Sequence, residues 1–417
     1  MNILVIGSGG REHALAWKLK QSPKIKRLFI APGNPGTALI GENVFLDILD
    51  HQIVINFAKQ NQIDLVVIGP DDVLASGLAN SLQNAGIKVF GPTKEAAEIE
   101  WSKSFAKDLL QRLNIPTAKF ETFTEIEKAK RYIQNHDYPL VIKASGLALG
   151  KGVMIANNYE EAMIVLEKMI IQKIFGSAGE TVIIEEYLQG EEISVHAFCD
   201  GETAVLFPAA QDHKRIFDND KGPNTGGMGT IVPVPTVSKS IMDQIGKQIV
   251  IPILQELKSI GRPFKGVLFP GIMLTKDEPK VLEFNARFGD PETQSYMRIL
   301  KTDLAEILLA CIDGRLDTME VEWESLSACC IVLASKGYPG NYPKGLPISG
   351  IAEAEKMEGI VVFQAGTKLE DGKVMTNGGR VLGVSAIGIG LDEALSKAYE
   401  AVEVINFDGK QFRKDIA

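Results

Sequence analysis

The sequence predicts a multidomain protein that combines α/β and α+β architecture. Its 417 residues suffice for roughly two to four domains of about 100–200 residues each. Near the N-terminus, short apolar strands alternate with helical patterns, which is typical of a parallel sheet covered on both faces. Farther along the chain, apolar strands follow one another across a tight turn, which favours hairpins and antiparallel pairing.

The N-terminal region, residues 1 to about 100, is predicted to be an α/β domain. MNILVI (1–6) is an apolar run that ends in glycines, and a helical pattern that includes Ala14 and Leu15 follows it. Buried strands are short apolar runs of this kind. Three more are predicted at LFIA (28–31), LVVIG (65–69) and KVFG (88–91).

A connecting helix is predicted to begin near Glu95 and to end before Pro116, because proline disfavours a continuing helix. A second α/β region follows at about 118–190. It is predicted to contain the strand YPLVIKA (138–144), a helix at 159–171 and the strand TVIIEEYL (181–188).

Two further regions complete the predicted organisation. Between about 191 and 320, SVHAFCD, TAVLFPAA, GVLFPGIMLT and KVLEFNA are predicted strands, and KDEP (276–279) provides a hairpin turn. The last region, about 323–417, is predicted to contain strands at 329–334, 360–365 and 381–387 and a helix at 392–405.

Composition narrows the classes of protein. The chain has 53 acidic and 44 basic residues, a formal charge of −9, and no polybasic tract, so we expect no nucleic-acid partner. No apolar stretch reaches about 18 residues, so we expect no membrane span. The four cysteines lack metal-ligand spacing, and Cys329 and Cys330 are adjacent. Reduced thiols indicate a cytoplasmic protein.

Two glycine-rich loops follow predicted strands. GSGGRE (7–12) opens a helix, whose free N–H groups favour an anion. The dinucleotide fingerprint requires a glycine where Glu12 stands and an acidic residue about 20 positions on, and neither is present. A dehydrogenase is therefore disfavoured. PGNPG (32–36) is similar, and together the loops suggest a phosphosugar cradle, the alternative being tight strand–helix turns.

GLALGKG (146–152) is a third glycine-rich loop. It fails the P-loop spacing and lies between two predicted strands. This layout is typical of a flexible hairpin flap, in which backbone N–H groups and Lys151 could close over phosphates. The alternative is a glycine-rich turn without a ligand.

A candidate metal site lies in KVLEFNARFGDPE. In a strand, residues two apart share a face, so Glu283 and Asn285 should point the same way, together with Val281. A carboxylate in an apolar strand is costly without a cation. Mg²⁺ takes oxygen ligands and shares them with substrate phosphates. The alternative is pairing of Glu283 with Arg287.

Two polar segments strengthen the case for a nucleotide site. TVIIEEYLQGEE places Glu185 and Glu192 seven residues apart across a strand end, an arrangement suited to a nucleotide base and its ribose. In QDHKRIFDNDKGPNTGGMG (211–229), Lys214 and Arg215 suit phosphate oxygens, and the glycines offer backbone donors. A solvated surface would also tolerate either segment.

Together these segments resemble the ATP-grasp ligases and, within them, the glycinamide ribonucleotide synthetase family. The matching pieces occur in family order over essentially the whole chain: GSGGREHAL, PGNPGTA, SKSFAK, GLALGKGV, EEYLQGEEIS, QDHKR, GPNTGGMG, EFNARFGDPETQ and SKGYPG. The pair GPNTGGMG and EFNARFGDPE is specific, and it separates this family from biotin carboxylases and D-alanine ligases.

The resemblance implies a domain organisation. An N-terminal Rossmann-like domain would cover 1–101 and an ATP-grasp domain 102–322, followed by a mixed α/β C-terminal domain at 323–417. The ATP-grasp domain would comprise a small subdomain at about 118–190 and a large one at about 191–322.

The resemblance also implies an activity and a site. Glycine and 5-phosphoribosylamine would be joined at the expense of ATP, giving glycinamide ribonucleotide, ADP and phosphate, in a monomeric cytoplasmic enzyme. Mg²⁺, or Mn²⁺, would bind Glu283 and Asn285. ATP would contact Lys103, Lys143, Gly150, Lys151, Gly152, Glu185, Glu186, Leu188 and Glu192. Substrates would contact Gly10, Gly33, Asn34, Asp212, Asn224, Thr225, Gly226, Gly227 and Asp290, with Arg287, Lys214 and Arg215 as catalytic residues.

The sequence departs from the family pattern at three places. Ser145 replaces an acidic residue, Asp71 and Val73 replace glutamate and proline, and Tyr296 replaces an aliphatic residue. Two alternatives remain: a ligase of the same fold acting on another amino acid, and a nucleotide-binding sensor without catalysis. A sensor would be expected to lose a metal ligand or a phosphate-binding lysine, whereas both ligands and both lysines are present.

Overall fold

A computed structural model describes residues 1–148 and 152–417. The N-terminal region forms a parallel five-stranded sheet of order β3-β2-β1-β4-β5, with helices on its faces. This confirms the predicted α/β architecture. Its elements are β1 (Asn2–Gly7), α1 (Gly10–Leu19), β2 (Arg27–Pro32), β3 (Glu42–Asn43), α2 (His51–Gln60), β4 (Leu65–Ile68), α3 (Asp71–Ser76), α4 (Leu78–Asn84) and β5 (Val89–Phe90).

The predicted connecting helix is two helices, α5 (Glu98–Trp101) and α6 (Lys103–Arg112). The single-helix prediction was wrong because Ser102 leaves the helical conformation, with φ −128° and ψ 94°. Its hydroxyl accepts a hydrogen bond from the backbone N–H of Phe105 at 3.3 Å. Ser102 is thus an N-cap, which favours a fresh helix start directly before Lys103.

A small antiparallel sheet follows, of order β6-β9-β7-β8. The strands β7 and β8 pair as a hairpin, as predicted for the flanks of the flap. The helix Tyr159–Leu166 is extended by a π-helical turn at Glu167–Ile171. The elements are β6 (Phe120–Phe123), α7 (Ile126–Ile133), β7 (Leu140–Ala144), β8 (Val153–Ala156), α8 (Tyr159–Leu166) and β9 (Val182–Glu186).

The next region contributes a larger antiparallel sheet, of order β10-β17-β11-β12 with β18 paired to β17. The elements of this region, in chain order, are β10 (Glu191–Ser194), β11 (Ala197–Asp200), β12 (Ala204–Leu206), β13 (Gln211–Asp212), β14 (Arg215–Phe217), β15 (Lys221–Asn224), β16 (Gly229–Val232), α9 (Lys239–Ile245), α10 (Ile251–Ser259), β17 (Lys265–Leu274), β18 (Pro279–Asn285), α11 (Glu292–Ile299) and α12 (Leu304–Asp313).

The C-terminal sheet has the order β13-β16-β19-β23-β20, with β24 paired to β19. Two of its strands, β13 and β16, come from residues 211–232, so this sheet crosses the predicted boundary at 322. The remaining elements are β19 (Ser327–Ser335), α13 (Ile351–Ala354), β20 (Ile360–Gln364), β21 (Thr367–Glu370), β22 (Lys373–Thr376), β23 (Arg380–Gly388), α14 (Leu391–Val404) and β24 (Lys410–Gln411).

Helix α11 lies at the centre of the molecule. It packs against α1 of the N-terminal sheet and against β16, β19 and β23 of the C-terminal sheet. Its polar residues from Glu292 to Ser295 are therefore buried. The loop that enters α11 carries Arg287 and Asp290, so packing of three regions fixes the position of that loop.

The described residues contain no helix that is both long and apolar enough to cross a bilayer. All four cysteines are buried free thiols.

Candidate active site

A cleft of about 520 Å³ opens where the small sheet, the larger sheet and the two terminal regions meet. Its walls carry most of the residues predicted from sequence. They are Lys103, Lys143, Gly152, Glu185, Glu186, Leu188, Glu192, Asp212, Lys214, Asn224, Thr225, Gly226, Glu283, Asn285, Arg287 and Asp290.

Strand β18 presents Glu283 and Asn285 to the cleft, as the two-residue period predicts. The same prediction was wrong for Val281, which is fully buried in the core. The pairing register shifts here, since Gly271 faces Glu283 whereas the next residue, Ile272, faces Val281. Leu282 is the extra residue of a β-bulge, which reverses the alternation and turns Leu282 towards the cleft.

The surroundings of Glu283 are strongly cationic. Burial alone would raise its pKa, but the charges of Lys103, Lys143 and Lys214 outweigh burial and lower the pKa below its ordinary value. Glu283 therefore stays ionised in a cleft that attracts further anions.

These two oxygens fit a divalent cation that is shared with phosphates. The described residues contain no cluster of three or more His, Cys, Asp or Glu side chains arranged to hold a metal by themselves. Mg²⁺ commonly binds one or two protein oxygens and completes its shell with substrate phosphate and water. Asn285 Oδ1 accepts only a long hydrogen bond, 3.4 Å, from Arg287 Nη2.

The two phosphate-binding candidates Lys103 and Lys143 are tied together by the backbone. Lys143 lies on β7, and the carbonyl of Ser145 just beyond that strand accepts a 2.9 Å hydrogen bond from the N–H of Lys103. Lys103 opens α6, whose N-terminus adds positive potential. This backbone hydrogen bond between the start of α6 and the end of β7 thus places the ammonium groups of Lys103 and Lys143 on the same wall of the cleft.

Glu185 holds lysines. Its Oε2 is 2.9 Å from Lys143 Nζ, and its Oε1 is 3.1 Å from Lys107 Nζ. Burial lowers the pKa of Lys107 to about 8, and the nearby Lys143 charge acts in the same direction. We therefore infer that the Glu185 side chain orients Lys143, and its predicted contact with ATP stays a prediction, since Glu185 lines the same cleft.

On the opposite wall, Lys214 bridges two carboxylates. Its Nζ lies 2.7 Å from Glu192 Oε1 and 3.4 Å from Asp212 Oδ2. The Asp212 side chain is 5% exposed, and its Oδ1 has no hydrogen-bond partner. Burial, together with the nearby Glu292 and Glu192 charges, raises the pKa of Asp212 to about 8 despite Lys214. An acceptor of this kind suits a cationic ligand group.

Arg287 is held from behind. Its Nε is 3.2 Å from Glu100 Oε1, and the other Glu100 oxygen accepts the N–H of Ala286 at 2.8 Å. Glu100 is itself buried, and burial raises its pKa. The Glu100 carboxylate thus fixes Arg287 on the cleft wall.

The family of the chain is shown by its similarity to known protein families. Models of the N domain, the ATP-grasp (A) domain and the C domain of phosphoribosylglycinamide synthetase match residues 1–100, 101–293 and 328–417. The chain belongs to the phosphoribosylglycinamide synthetase family. It is therefore an ATP-grasp ligase, an enzyme class that uses ATP and divalent metal ions.

Individual members of the phosphoribosylglycinamide synthetase family are similar along the whole chain. A phosphoribosylamine–glycine ligase of Rhodopirellula baltica is 48% identical, over 100% of this chain and 97% of the relative. The crystal structure of the phosphoribosylamine–glycine ligase of Thermotoga maritima superposes with a TM-score of 0.87 at 34% identity and covers 100% of both chains.

More distant structures share the fold alone. The biotin carboxylase domain of a Hydrogenobacter thermophilus 2-oxoglutarate carboxylase, solved with the magnesium salt of ADP, has a TM-score of 0.75 at 14% identity. It covers 99% of this chain and 91% of its own.

Several predicted residues lie elsewhere in this family member. Arg215 is outside the cleft, where its Nη1 donates to the carbonyl of Gly222 at 2.7 Å. Asn34 is 4% exposed, and its side chain is fully engaged with the backbone of Ser8, Gly36, Thr37 and Gln364. The Asn34 side chain is therefore not free to bind a ligand, and Arg215 lies apart from the predicted residues that line the cleft.

Three predicted glycines shape loops and do not line the cleft. A Cβ at Gly10 would lie 2.6 Å from Gln294 Nε2, so Gly10 packs against α11. Gly33 and Gly227 have φ of +73° and +111°, a region that favours glycine. Gly150 and Lys151 lie outside the described residues.

Seven polar residues of the cleft were missed by sequence reasoning. Arg11 and Asp71 follow the glycine-rich loop and the GPD segment, both of which had been noted, so proximity in sequence could have flagged them. Glu292 and Tyr338 lie in the quoted segments EFNARFGDPETQ and SKGYPG, and Tyr187 adjoins the predicted Glu186, so the same signal was available for them. No local pattern marks Glu100 and Arg380.

Arg380 closes the cleft from the C-terminal sheet. Its Nη2 is 3.1 Å from Asp290 Oδ2, and it also donates to the carbonyls of Asp290 and Gly226. The N–H of Gly226 donates to Tyr338 Oη at 3.1 Å. The loop that carries Asn224 to Gly227 is thus held by residues more than a hundred positions away.

Proposed function

We propose that this chain is a phosphoribosylamine–glycine ligase. It would convert ATP, glycine and 5-phospho-D-ribosylamine into glycinamide ribonucleotide, ADP and phosphate through glycyl phosphate, the second step of de novo purine synthesis. One observation carries the proposal: Glu283 and Asn285 face a cleft walled by lysines, in a chain that aligns end to end with ligases of this name. We further propose that the enzyme is a cytoplasmic monomer.

The first step activates glycine. A carboxylate oxygen of glycine attacks the γ-phosphorus of ATP, the bond from phosphorus to the β–γ bridging oxygen breaks, and ADP leaves with that electron pair. Lys103 and Lys143 hold the phosphate oxygens on one wall, so charge is neutralised by groups already in place. A divalent cation on Glu283 and Asn285, Mg²⁺ or alternatively Mn²⁺, would supply further neutralisation of the β- and γ-phosphates.

The second step forms the amide. The amine of phosphoribosylamine attacks the carbonyl carbon of glycyl phosphate, the carbon–oxygen bond to phosphate breaks, and the nitrogen loses a proton. Arg287 and the backbone of Asn224 to Gly226 line the cleft, and we propose that they donate hydrogen bonds to the glycyl group. We propose that Asp212 accepts the glycine ammonium.

The phosphosugar is proposed to bind on the N-terminal side of the cleft. Arg11 contributes a guanidinium there from the loop GSGGRE, and Asp71 lies on the same wall. This assignment replaces the one to Gly33 and Asn34, whose polar groups bond within their own loop or to neighbouring segments. The amine would enter between Arg11 and Asp290.

The test is an assay for ADP release with glycine and freshly made phosphoribosylamine, each omitted in turn. ADP formation that needs both, and that fails when alanine replaces glycine, is the expected result. ADP formation with alanine but not with glycine would instead favour a ligase for another amino acid. Absence of ADP with every substrate would favour a nucleotide-binding sensor.

Glu283→Gln is the matching variant, with Glu278→Gln as a control on the exposed turn of the same hairpin. We expect Glu283→Gln to lower kcat by about 100-fold or more, because it removes charge from the proposed cation site. The melting temperature should change by less than about 4 °C. A loss of about 1 kcal/mol in a domain of modest size would lower it by at least that much, and we expect a smaller loss. Near-normal turnover would remove the metal assignment.

A further inference from the structure

We infer that His196 is a positioning residue for the loop Ala286–Asp290, and that Tyr296 fixes the ring nitrogen on which His196 carries its proton. The inference rests on the proposed function, because it concerns how Arg287 and Asp290 are presented to substrates. It uses a hydrogen-bond chain that lies behind the cleft and touches no substrate.

The imidazole of His196 is enclosed by aromatic rings. It is fully buried between β10 and β11 and stacks on Phe269 with ring centroids 3.9 Å apart. Phe207 lies beside it at 5.7 Å, and Tyr296 meets it edge-on at 4.9 Å. Burial and the charge of Arg287 both lower the pKa of His196 well below its ordinary value, so the ring is neutral.

Both nitrogens of this ring are engaged. Nε2 lies 3.1 Å from the backbone nitrogen of Gly289, and Nδ1 lies 3.2 Å from Tyr296 Oη. The same Tyr296 hydroxyl donates to the carbonyl of Pro208 at 3.0 Å. The chain therefore runs from Gly289 through His196 and Tyr296 to Pro208.

The direction of every hydrogen bond in this chain is determined. A backbone N–H can only donate, so Nε2 of His196 must be the unprotonated nitrogen. A neutral imidazole then carries its proton on Nδ1 and donates it to Tyr296 Oη. Because a carbonyl only accepts, the single hydroxyl proton of Tyr296 goes to Pro208. Any other tautomer would place two N–H groups against each other at Gly289.

Gly289 is the point at which this chain acts on the site. Its N–H is held by His196, and its carbonyl accepts the Thr293 hydroxyl at 2.5 Å. A Cβ at Gly289 would lie 2.7 Å from His196 Nε2, so the backbone sits directly on the ring. Both ends of this peptide are thereby fixed, and Arg287 and Asp290 project from either side of it into the cleft.

The decisive variant is Tyr296→Phe, which removes one oxygen and keeps the ring. Without that oxygen, Nδ1–H of His196 loses its acceptor, and the tautomer that serves Gly289 is less strongly favoured. We expect the KM for glycine to rise about three- to tenfold, because Arg287 shifts by a fraction of an ångström. The KM for ATP should stay within about twofold, since Lys103 and Lys143 belong to other elements. Tyr138→Phe, which removes a hydroxyl bonded to the Ile133 carbonyl in the small sheet region, is the matched control.

Nitrogen-15 NMR of histidine-labelled, full-length enzyme provides a readout that does not depend on activity. The wild-type spectrum should show His196 as the neutral Nδ1–H form, and Tyr296→Phe should shift its population towards the Nε2–H form. His196→Gln, whose amide oxygen can accept from Gly289, should retain more glycine affinity than His196→Leu at similar melting temperature.

Two results would overturn the inference. One is a wild-type spectrum showing Nε2–H. The other is a folded Tyr296→Phe enzyme with unchanged tautomer and unchanged KM for glycine. Failure of the proposed function would look different, because the wild-type enzyme would then form no ADP with glycine and phosphoribosylamine while its NMR spectrum could still show Nδ1–H.

Discussion

Asp212 carries the least satisfied polar atom of the cleft. Its Oδ1 is buried without a hydrogen-bond partner, while Oδ2 faces Lys214 at 3.4 Å. An unpaired buried acceptor costs about 1–3 kcal/mol. A ligand that brings N–H donors to this atom would recover that free energy on binding, which is why an amino acid's ammonium group suits it.

We therefore predict that Asp212→Asn raises the KM for glycine about tenfold or more, because a bound ammonium favours the ionised form of Asp212 and an amide cannot supply that charge-assisted hydrogen bond. The KM for ATP should be nearly unchanged. Steady-state kinetics with each substrate varied in turn checks this, with Asp243→Asn on the exposed face of α9 as the control. Equal losses for glycine and ATP would contradict the assignment.

The ionisation of Asp212 predicts a pH dependence of stability. Its pKa is raised to about 8 from an ordinary value of 3.8. The folded state thus binds this proton more tightly than the unfolded state, so the contribution of Asp212 is fully present below about pH 4 and is lost as pH rises through about 8. Asp212→Asn should make the melting temperature fall less between pH 6 and about 9 than it does in the wild type. Parallel melting curves for the two proteins would contradict this expectation.

At the residue scale, sequence reasoning succeeded where the signal was local. Glu283 and Asn285 are two positions apart on one strand, so the strand period alone placed them together. It failed for Val281, because a β-bulge changes the period without leaving a mark in the residue types. Glu100 and Arg380 were missed because their partners, Arg287 and Asp290, are far away in the chain.

The hairpin of β14 and β15 is held by contacts with residues that are distant in the sequence. The C-terminal segment holds it. Arg413 donates to Asp220 at 2.6 Å, and Asp415 and Asp218 accept backbone N–H groups of Asn219 and Lys414 at 2.7 and 2.9 Å. The hairpin leads into Asn224 and Thr225 on the cleft wall, so these contacts anchor one side of the site.

We predict that Arg413→Met releases the hairpin. Removing the guanidinium breaks its bonds to Asp220, Asp415 and the Arg215 carbonyl, while the apolar stem is retained. Limited trypsin digestion followed by mass spectrometry should show faster cleavage after Arg215 and Lys221 than in the wild type. Lys368→Met, which removes an exposed ion pair with Glu370, should leave that rate unchanged.

The elements themselves were mostly predictable, and their partners were not. Apolar runs located strands in all four regions, but they did not reveal β6 or the polar strands β13, β14 and β15. The break at Ser102 was overlooked because an amphipathic pattern continues through it, whereas the serine's capping ability was the available signal. The pairing of β16 with β19 joins residues about a hundred positions apart, and strand partners at that distance cannot be inferred from periodicity.

At the scale of the whole molecule, the two terminal regions are joined through His13. Its Nδ1 accepts the N–H of Gln364 at 2.9 Å, and its ring meets Phe363 edge-on at 5.5 Å. Burial lowers the pKa of His13 to about 4. The folded state therefore requires the neutral ring, whereas the unfolded chain takes up a proton near the ordinary value of 6.5.

This contact predicts acid sensitivity. The contribution of His13 to stability is fully present above pH 6.5 and is lost as pH falls towards about 4. The loss of stability at that pH is about 3 kcal/mol. His13→Asn keeps an acceptor for Gln364 but cannot be protonated. Its melting temperature should therefore fall less between pH 7 and 5 than that of the wild type, and the exposed His136→Asn should behave like the wild type. Identical pH profiles for all three proteins would contradict the role of His13.

The shared C-terminal sheet constrains how this protein can be recombined with its relatives. A chimera joined near residue 322 would pair β16 of one parent with β19 of the other, inside a single buried sheet. Exchanging 211–232 together with the C-terminal region would keep that sheet from one parent, and Asp212 with it. Laboratory hybrids should therefore retain their fold better when two further crossovers, at the edges of 211–232, accompany the one near residue 322.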